Sequence, residues 1–274
     1  MKSFIVSKTG KLTKLALNSI EDLSYSALLK ALRKKDVKVN GKRIKEDLTL
    51  NVGDVVEVYF VDKKQDKFDV VYLDENLIIV YKKSGYLAES VFENVKEQYS
   101  SAGFIHRLDR NTDGLMVFSL NENSERELLS AFKNRTIDKK YNAWVVGVPA
   151  KKESVETAYL LKDKDASKVQ IFDKKVEGAV QIKTGYKVLR EKPDSALLEV
   201  ILYTGKTHQI RAHLSHLGHP IIGDGKYGDY GYNKRANITS QMLTATELTF
   251  HFDKASALHY LDNKTFYVPD KAED

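Results

Sequence analysis

The stretch "GFIHRLDRNTDGL", Gly103–Leu115, places four charged side chains and a histidine directly before the apolar run "MVFSL". Solvated loops carry such charge, but they seldom lead straight into a buried strand. In a functional site, an ionised carboxylate acts as a nucleophile or a base, and a nearby cation stabilises its charge. Taken alone, an aspartate in a turn is more often a cap or a solvated charge. The stretch is therefore a candidate site that needs support from the rest of the chain.

The segments around this stretch carry strand and helix patterns. Their β-branched and aromatic content predicts strands in "NLIIVYK", "LMVFSL", "YNAWVVGV" and "ALLEVILY". Helices are predicted in "SERELLSAF" and "THQIRAHLSHLG"; in the second, Ile210, Leu214 and Leu217 share a face and Gly218 fits the helix end. The strands are spaced too irregularly for a doubly wound parallel sheet, so a mixed α+β domain is predicted.

The composition excludes several classes of protein. The chain has 274 residues, which suggests about two domains. It has no cysteine, so disulfides and thiolate metal sites are excluded. The N-terminus lacks the sustained apolar core of a signal peptide, and no apolar run approaches the length of a membrane span. We therefore expect a cytoplasmic protein that does not enter a membrane.

The net charge of +6 is concentrated in the first quarter of the chain. Residues 1–66 hold 14 Lys and Arg against 9 Asp and Glu, whereas residues 67–274 hold 30 against 29. Between Lys30 and Lys45 there are eight basic residues and one acid. This asymmetry favours a polyanion-binding module joined to a nearly neutral body, and the alternative is a solvated face of a lysine-rich protein.

The pattern within this quarter favours the binding module. "SYSALLKALRKK" is typical of a helix with Ser24 as its N-cap, and "VKVNGKRI" and "DVVEVYF" are typical of strands, with an Asn40–Gly41 turn. The helix end and the hairpin together present a basic set that we expect to contact RNA: Arg33, Lys34, Lys35, Lys38, Lys42 and Arg43.

The string "VKVNGKRIKEDLTLNVGDVVEVYF" resembles the small RNA-binding module named for ribosomal protein S-four, and the resemblance covers roughly Lys14 to Phe60. The polar "VDKKQDKFD" after it fits a linker. We expect a small α+β RNA-binding domain at residues 1–62, a linker at 63–69 and a catalytic domain at 70–274.

The opening stretch itself is similar to the motif H-R-L-D-x-x-T-S-G of the RluA-like pseudouridine synthases. Further blocks follow in the family's order: "VVYLDENLIIVYKKSG", "KKYNAWVVG", "LYTGKTHQIRAHLSHLGHPIIGDGKYG" and "TATELTFHF". The resemblance implies an enzyme that isomerises specific uridines to pseudouridine, with ribosomal RNA as the expected substrate. It also implies the family's α+β fold, a mixed, mainly antiparallel sheet with a central catalytic cleft.

The same resemblance assigns the catalytic roles. Asp109 is the expected catalytic carboxylate, acting as nucleophile at carbon 1′ or as base at carbon 2′ of the ribose. Arg211 is the cation beside it, and Tyr141 stacks on the uracil and helps to handle the proton lost from carbon 5. The reaction transfers neither electrons nor phosphate, so no cofactor and no metal are expected. The target base must be unpaired or flipped out of a helix.

The resemblance also places residues around the pocket. Ile210 is expected to pack against it, Arg107 to support the RNA opening, and His106 to lie at the RNA site as a structural hydrogen-bonding group. Thr112 and Gly114 are expected to shape the turn. The chain departs from the family at three positions: Asp113 replaces the usual Ser, Lys83 the usual Pro, and Lys206 the usual Arg. Asp113 is expected either to face Asp109 or to cap a turn.

Other functions remain open at this point. They are a transfer RNA-directed synthase of the same family, a non-catalytic RNA-binding protein, and a metal hydrolase that uses the histidines of "THQIRAHLSHLGH". The metal site is disfavoured because none of these histidines are spaced at i and i+4. Tyr141 as an ordinary core aromatic is the alternative for that residue. We expect the protein to be a monomer.

Overall fold

The computed structural model describes residues 1–20, 23, 25–60, 67–163 and 168–268. The chain divides into an N-terminal unit, Met1–Asp66, and a C-terminal unit, Lys67–Asp274. No helix in the described part of the chain is both long enough and apolar enough to cross a membrane.

The N-terminal unit is a small α+β structure. Its elements are β1 (Lys2–Ile5), β2 (Gly10–Lys11), α1 (Leu12–Ser19), α2 (Tyr25–Arg33), β3 (Val37–Val39), β4 (Lys42–Ile44), β5 (Thr49–Leu50) and β6 (Val55–Val58). Four strands form an antiparallel sheet in the order β1-β6-β3-β4, and β2 pairs with β5. Leu28 and Leu32 of α2 are buried in one core with Val56 and Val58 of β6, which explains the apolar faces of these elements.

The predicted hairpin and helix are present in this unit. Asn40 and Gly41 both have positive φ, 49° and 78°, as a two-residue turn between twisted strands requires. The helix α2 confirms the prediction from "SYSALLKALRKK", but Ser24, its expected N-cap, lies outside the described residues.

The C-terminal unit is built on one large sheet. Its strands are β7 (Phe68–Leu73), β8 (Leu77–Lys82), β9 (Gly103–Phe104), β10 (Asp113–Ser119), β11 (Ile137–Val146), β12 (Glu153–Asp163), β13 (Lys168–Phe172), β14 (Val180–Lys192), β15 (Ser195–Leu202), β16 (Leu243–Phe250) and β17 (Thr265–Tyr267). Its helices are α3 (Ala88–Gln98), α4 (Glu122–Asn134), α5 (Gln209–His216) and α6 (Tyr230–Arg235), with a 3₁₀ turn at His259–Leu261.

The strand order is β13-β12-β14-β15-β11-β16-β10-β8-β7, with β9 on β10 and β17 on β16. Among the described strands of this unit, only β10 and β16 pair in parallel, and the other pairs are antiparallel. The predicted mixed, mainly antiparallel sheet is therefore confirmed.

Both faces of the central strands are covered, which explains why "MVFSL" is apolar throughout. Met116 and Phe118 of β10 contribute to the core that contains α3 and α5, whereas Leu115 and Val117 contribute to the core under α4. A strand buried on both faces reads as a continuous apolar run rather than an alternating one. The charged stretch before β10 is thereby held at the end of a rigid central strand.

The predicted linker at 63–69 needs correction at its end, because β7 begins at Phe68. Phe68 pairs with Lys82 across the sheet and packs against the main core, and this apolar contact extends the strand into the polar segment. Residues 63–66 of the predicted linker lie outside the described residues.

Candidate active site

A cleft of about 570 Å³ opens in the C-terminal unit beside the end of β10. Its walls come from the 105–112 loop, from α4 and β11, and from the turn that leads into α5. Six basic side chains line it: Arg107, Lys133, Arg135, Lys139, Lys206 and Arg211. A cleft with this lining is suited to an anionic substrate with a flat apolar part.

Arg211 joins two carboxylates in this cleft. Its Nη1 donates to Asp109 Oδ2 at 2.8 Å, and its Nε and Nη2 donate to the two oxygens of Asp224 at 2.7 and 3.0 Å. Asp109 comes from the loop before β10, 102 residues away in sequence from the arginine on α5. The structure therefore brings together the aspartate and the arginine that the sequence placed in one site.

Asp224 is a site residue that the sequence analysis did not identify. Its side chain is 1% exposed, compared with 19% for Asp109. Its Oδ1 also accepts the backbone N–H groups of Lys226 and Tyr227, at 2.8 and 3.0 Å. In the sequence, Asp224 is marked only by the "GDG" turn within the block that ends in "GDGKYG". Its pairing with Arg211 depends on the tertiary fold.

The charges in this cluster support one another. Burial acts to lower the pKa of Arg211, but the hydrogen bonds and charges of Asp224 and Asp109 outweigh it and raise that pKa. Burial acts to raise the pKa of Asp224, but the hydrogen bond and charge of Arg211, together with the backbone N–H groups of Lys226 and Tyr227, lower that pKa below its ordinary value. Arg211 is therefore a permanent cation clamped on one side, with Nη1 presented to Asp109.

Tyr141 faces the same cleft from β11. The pairing of β11 with β16 shifts register between Lys140 and Tyr141, and such bulges commonly re-aim a side chain at a site. The side chain is buried in the core together with Ile210, which also lines the cleft. Burial raises the pKa of Tyr141, and the nearby negative charge of Asp109 raises it further, so its hydroxyl is protonated at neutral pH.

The buried ammonium of Lys82 is hydrogen-bonded to the loop that carries Asp109 and to the turn after β8. Its Nζ donates to the carbonyl oxygens of Lys83, Tyr86 and Arg110 at 3.1, 2.9 and 3.0 Å. Burial lowers the pKa of Lys82 to about 8. The backbone beside Asp109 is thus held by a group that the sequence analysis did not single out.

Asp113, which stands where the family has Ser, is hydrogen-bonded to the two strands that flank β10. Asp113 accepts hydrogen bonds from Tyr81 and from Thr244, the latter at 2.6 Å, and so connects β8, β10 and β16. Gly114 follows with φ 117°, and a Cβ there would lie 2.2 Å from the carbonyl oxygen of Ala245. Asp113 therefore fastens the strand that follows the loop, and Gly114 permits the close parallel pairing.

His106 is held by structural contacts. Its Nε2 accepts the backbone N–H of Val117 at 3.1 Å, and its ring stacks on Phe132 at 4.4 Å. Burial, together with the charge of Lys139, lowers the pKa of His106 to about 3, so the ring is neutral. Arg107 is different, since its side chain is 59% exposed at the cleft and pairs with Glu89 at 3.2 Å.

The six predicted RNA contacts of the N-terminal unit do not share one environment. Arg33, Lys34, Lys35 and Lys42 are exposed. Lys38 is 27% exposed and lies over the Tyr59 ring with Glu57 at 3.9 Å, and Arg43 lies 3.4 Å from Asp36. Lys38 and Arg43 therefore lie near carboxylates, whereas Arg33 Nε donates to the carbonyl of Leu29 in its own helix at 3.3 Å.

The histidines near α5 do not converge on a common point. His213 contacts Thr184 at 3.0 Å, His216 contacts Asp173 at 2.8 Å, and His219 contacts the carbonyl of Val146 at 3.2 Å. In the described ranges, no group of three or more His, Asp or Glu side chains has an arrangement that could hold a metal ion. This donor geometry gives no support to the metal-hydrolase alternative.

Comparisons with known proteins point in one direction. The sequence model of the family described as "RNA pseudouridylate synthase" matches residues 76–216, just over half of the chain. The chain is 29% identical over 262 residues to a Vibrio parahaemolyticus protein named ribosomal large subunit pseudouridine synthase C, covering 85% of this chain and 82% of that one. It is 26% identical to a Bacillus subtilis protein named uncharacterized RNA pseudouridine synthase, covering 89% and 86%.

Solved structures agree with the fold. The structure titled human RNA pseudouridylate synthase domain containing 4 matches with a TM-score of 0.56 and 26% identity, over 65% of this chain and 82% of that one. A second human structure, of domain containing 1, matches with a TM-score of 0.64 over 75% and 84%, at 22% identity. That second likeness concerns the fold alone.

Proposed function

Because this chain belongs to the RNA pseudouridylate synthase family, we propose that it converts specific uridines of ribosomal RNA to pseudouridine with Asp109 as the catalytic carboxylate. The reaction breaks the bond between ribose carbon 1′ and uracil nitrogen 1 and forms one between carbon 1′ and carbon 5. The proton leaves carbon 5, and nitrogen 1 gains one, so the product is an isomer of the substrate. The observation that carries the proposal is the contact of Asp109 with the clamped Arg211 in the basic cleft.

In this proposal Arg211 orients Asp109 and stabilises its negative charge. The guanidinium is anchored by Asp224, so its Nη1 is directed at the carboxylate before substrate arrives. Preorganised charge of this kind avoids reorganisation during the reaction, which is a general source of catalysis. Asp224 thus acts through Arg211 as a positioning residue.

Tyr141 is proposed to stack on the flipped uracil. Its raised pKa keeps the hydroxyl protonated at neutral pH, which suits stacking and hydrogen-bond donation better than service as a free base. Ile210 is proposed to support the Tyr141 side of the pocket. Arg107, exposed at the rim, is proposed to hold the opened RNA strand, where it exchanges Glu89 for a phosphate.

The N-terminal unit is proposed to be an S-four-like RNA-binding domain. Its exposed cations on α2 and the β3–β4 hairpin suit phosphate contacts, which are largely independent of sequence. Ribosomal RNA is proposed as the substrate because the Vibrio relative is named for the large ribosomal subunit. We also propose that the protein is cytoplasmic and that it is a monomer.

The test is to map pseudouridines in ribosomal and transfer RNA from cells that lack the gene, from cells with the intact gene, and from cells with the Asp109→Asn form. The expected result is the loss of one or more ribosomal pseudouridines, restored only by the intact gene. Loss of pseudouridines from transfer RNA alone would mean that transfer RNA, and not ribosomal RNA, is the substrate. Full restoration by Asp109→Asn would remove Asp109 from the mechanism, and unchanged maps in all strains would favour a non-catalytic RNA-binding protein.

A further inference from the structure

His208 lines the cleft beside Asp109. Its Nε2 is 3.9 Å from Asp109 Oδ2, and its side chain is 15% exposed and lines the cleft. It immediately precedes α5 with φ 55°, in the left-handed region that non-glycine residues seldom adopt. This conformation makes the helix begin at Gln209, two residues later than the sequence pattern "THQIRAHLSHLG" suggested. The left-handed backbone and the half-buried position both restrict the ring to the side of the cleft that holds Asp109.

The hydrogen bonds of Tyr227 favour one tautomer of the His208 ring. The backbone N–H of Val169 donates to the Tyr227 hydroxyl oxygen at 2.8 Å, and that oxygen is 2.9 Å from His208 Nδ1. Because the oxygen already accepts from Val169, its own proton is available for Nδ1. Neutral His208 then carries its proton on Nε2, the nitrogen that faces Asp109 and the cleft.

The surroundings favour the neutral ring. Burial lowers the pKa of His208, and although Asp109 and Asp224 act in the opposite direction, Arg211 and Lys226 reinforce the lowering. The Arg211 guanidinium also lies 5.3 Å from the Tyr227 ring centre, so the tyrosine ring is close to both the arginine and the histidine. Because the neutral His208 ring carries no positive charge, it can lie beside Asp109 without competing with Arg211 for the negative charge of the carboxylate.

We propose that the Nε2–H of His208 donates a hydrogen bond to the 2′-hydroxyl of the target nucleotide. The inference rests on the proposed function, in which Asp109 acts at carbon 1′ or carbon 2′ of the ribose. Either placement puts the 2′ oxygen close to the carboxylate, within reach of a donor 3.9 Å from it. The 2′-hydroxyl is the group by which a protein distinguishes RNA from DNA at a given site. His208 is therefore assigned the recognition of ribose, and Tyr227 the positioning of His208.

The test measures binding of two RNA oligomers that differ only in ribose or 2′-deoxyribose at the target uridine. Full-length protein carrying Asp109→Asn is used so that neither oligomer is converted during the measurement. With His208 present, the 2′-deoxy oligomer should bind about five- to tenfold more weakly, as expected for one neutral hydrogen bond. Adding His208→Asn, which tolerates the left-handed backbone but is too short to reach, should weaken the ribose oligomer alone and abolish the difference.

A second variant keeps the test informative if His208→Asn folds poorly. Tyr227→Phe retains the ring but removes the hydroxyl that orients His208, and it should reduce the ribose preference at least twofold while leaving the deoxy oligomer unaffected. Equal preference for ribose in all three proteins would overturn the proposal. Turnover of the ribose oligomer by the unmodified protein is measured in parallel. If the unmodified protein forms pseudouridine but the preference for ribose is unchanged by the His208 and Tyr227 substitutions, only the role of His208 is wrong. If the unmodified protein binds the RNA and forms no pseudouridine, the proposed function is wrong.

Discussion

Asp224→Asn removes one charge from the Asp109–Arg211–Asp224 cluster while preserving side-chain size. In the wild type, both Asp224 oxygens accept from Arg211, and Oδ1 also accepts two backbone N–H groups. An asparagine can keep the backbone bonds through its oxygen, but its amide nitrogen then faces a guanidinium donor. At least one Arg211 donor loses its acceptor in a region where Asp224 is 1% exposed. Asp109→Asn is the matched control, because its oxygen can still accept from Arg211 Nη1 at a position that is 19% exposed.

The two substitutions should differ strongly in stability. Removing one partner of a buried ion pair costs about 3–5 kcal/mol, whereas a partly exposed pair contributes about 1 kcal/mol or less. In a unit of about 200 residues, each kcal/mol shifts Tm by about 2–4 °C. Asp224→Asn should therefore lower the Tm of the C-terminal unit by about 6–20 °C, and Asp109→Asn by no more than about 4 °C. Asp224→Asn should also lower kcat at a temperature where it is folded, because Arg211 is no longer anchored.

The assay is differential scanning calorimetry of the RNA-free full-length proteins, with kcat measured well below each transition. The contradicting results are an Asp224→Asn protein that melts within about 2 °C of the wild type, or an Asp109→Asn protein that is the less stable of the two. Either result would mean that Asp224 does not hold Arg211 as the hydrogen bonds indicate.

Three further predictions concern other groups. Arg211→Met should reduce kcat by orders of magnitude and lower Tm, while Arg107→Met, at a 59% exposed position, should leave Tm within about 2 °C of the wild type. Calorimetry and single-turnover rates compare the two proteins. Equal Tm values for both would contradict the buried contact between Arg211 and Asp224. The unfolding free energy should fall as pH drops from about 6.5 toward 4, since His106 and His213 have folded pKa values of about 3 and about 4 and take up protons on unfolding. Each histidine contributes up to about 1.4 kcal/mol of unfolding free energy per pH unit. In a plot of urea-derived unfolding free energy against pH, His106→Phe should therefore reduce the slope. A slope unaltered by this substitution would exclude His106 as a buried neutral group. A fourfold variant with Gln at Arg33, Lys34, Lys35 and Lys42 should have a slope of log RNA affinity against log salt that is smaller by about three, if each cation contacts one phosphate. An unchanged slope in a salt titration would show that these four cations are solvated and do not contact RNA.

Much of the fold could be predicted from local pattern. The Asn40–Gly41 turn was predictable because only a few residue types accept positive φ in both central positions. The central strand β10 was predictable because burial on both faces requires a continuous apolar run. The start of β7 was not, since Phe68 stands alone in a polar segment and its strand depends on pairing with Lys82.

The candidate site was predictable where a residue's role is carried by a recognised motif. Asp109 and Arg211 were paired in advance, and they are 2.8 Å apart. Asp224 and Lys82 were missed for the same physical reason: their partners are assembled by the tertiary fold. Lys82 reads from sequence as an exposed strand end, but it is fully buried because three backbone carbonyls converge on its ammonium.

The central claim is that Asp109 is the reacting carboxylate, and single-turnover conversion of a bound RNA tests it most directly. Purified full-length protein and its Asp109→Asn form are each mixed in excess with an RNA that contains a target uridine, and pseudouridine and binding are both measured. We expect no pseudouridine from Asp109→Asn, and an affinity within a few-fold of the wild type because the Arg211–Asp224 clamp and the basic cleft remain. Pseudouridine formation by Asp109→Asn at a rate comparable to the wild type would contradict the central claim.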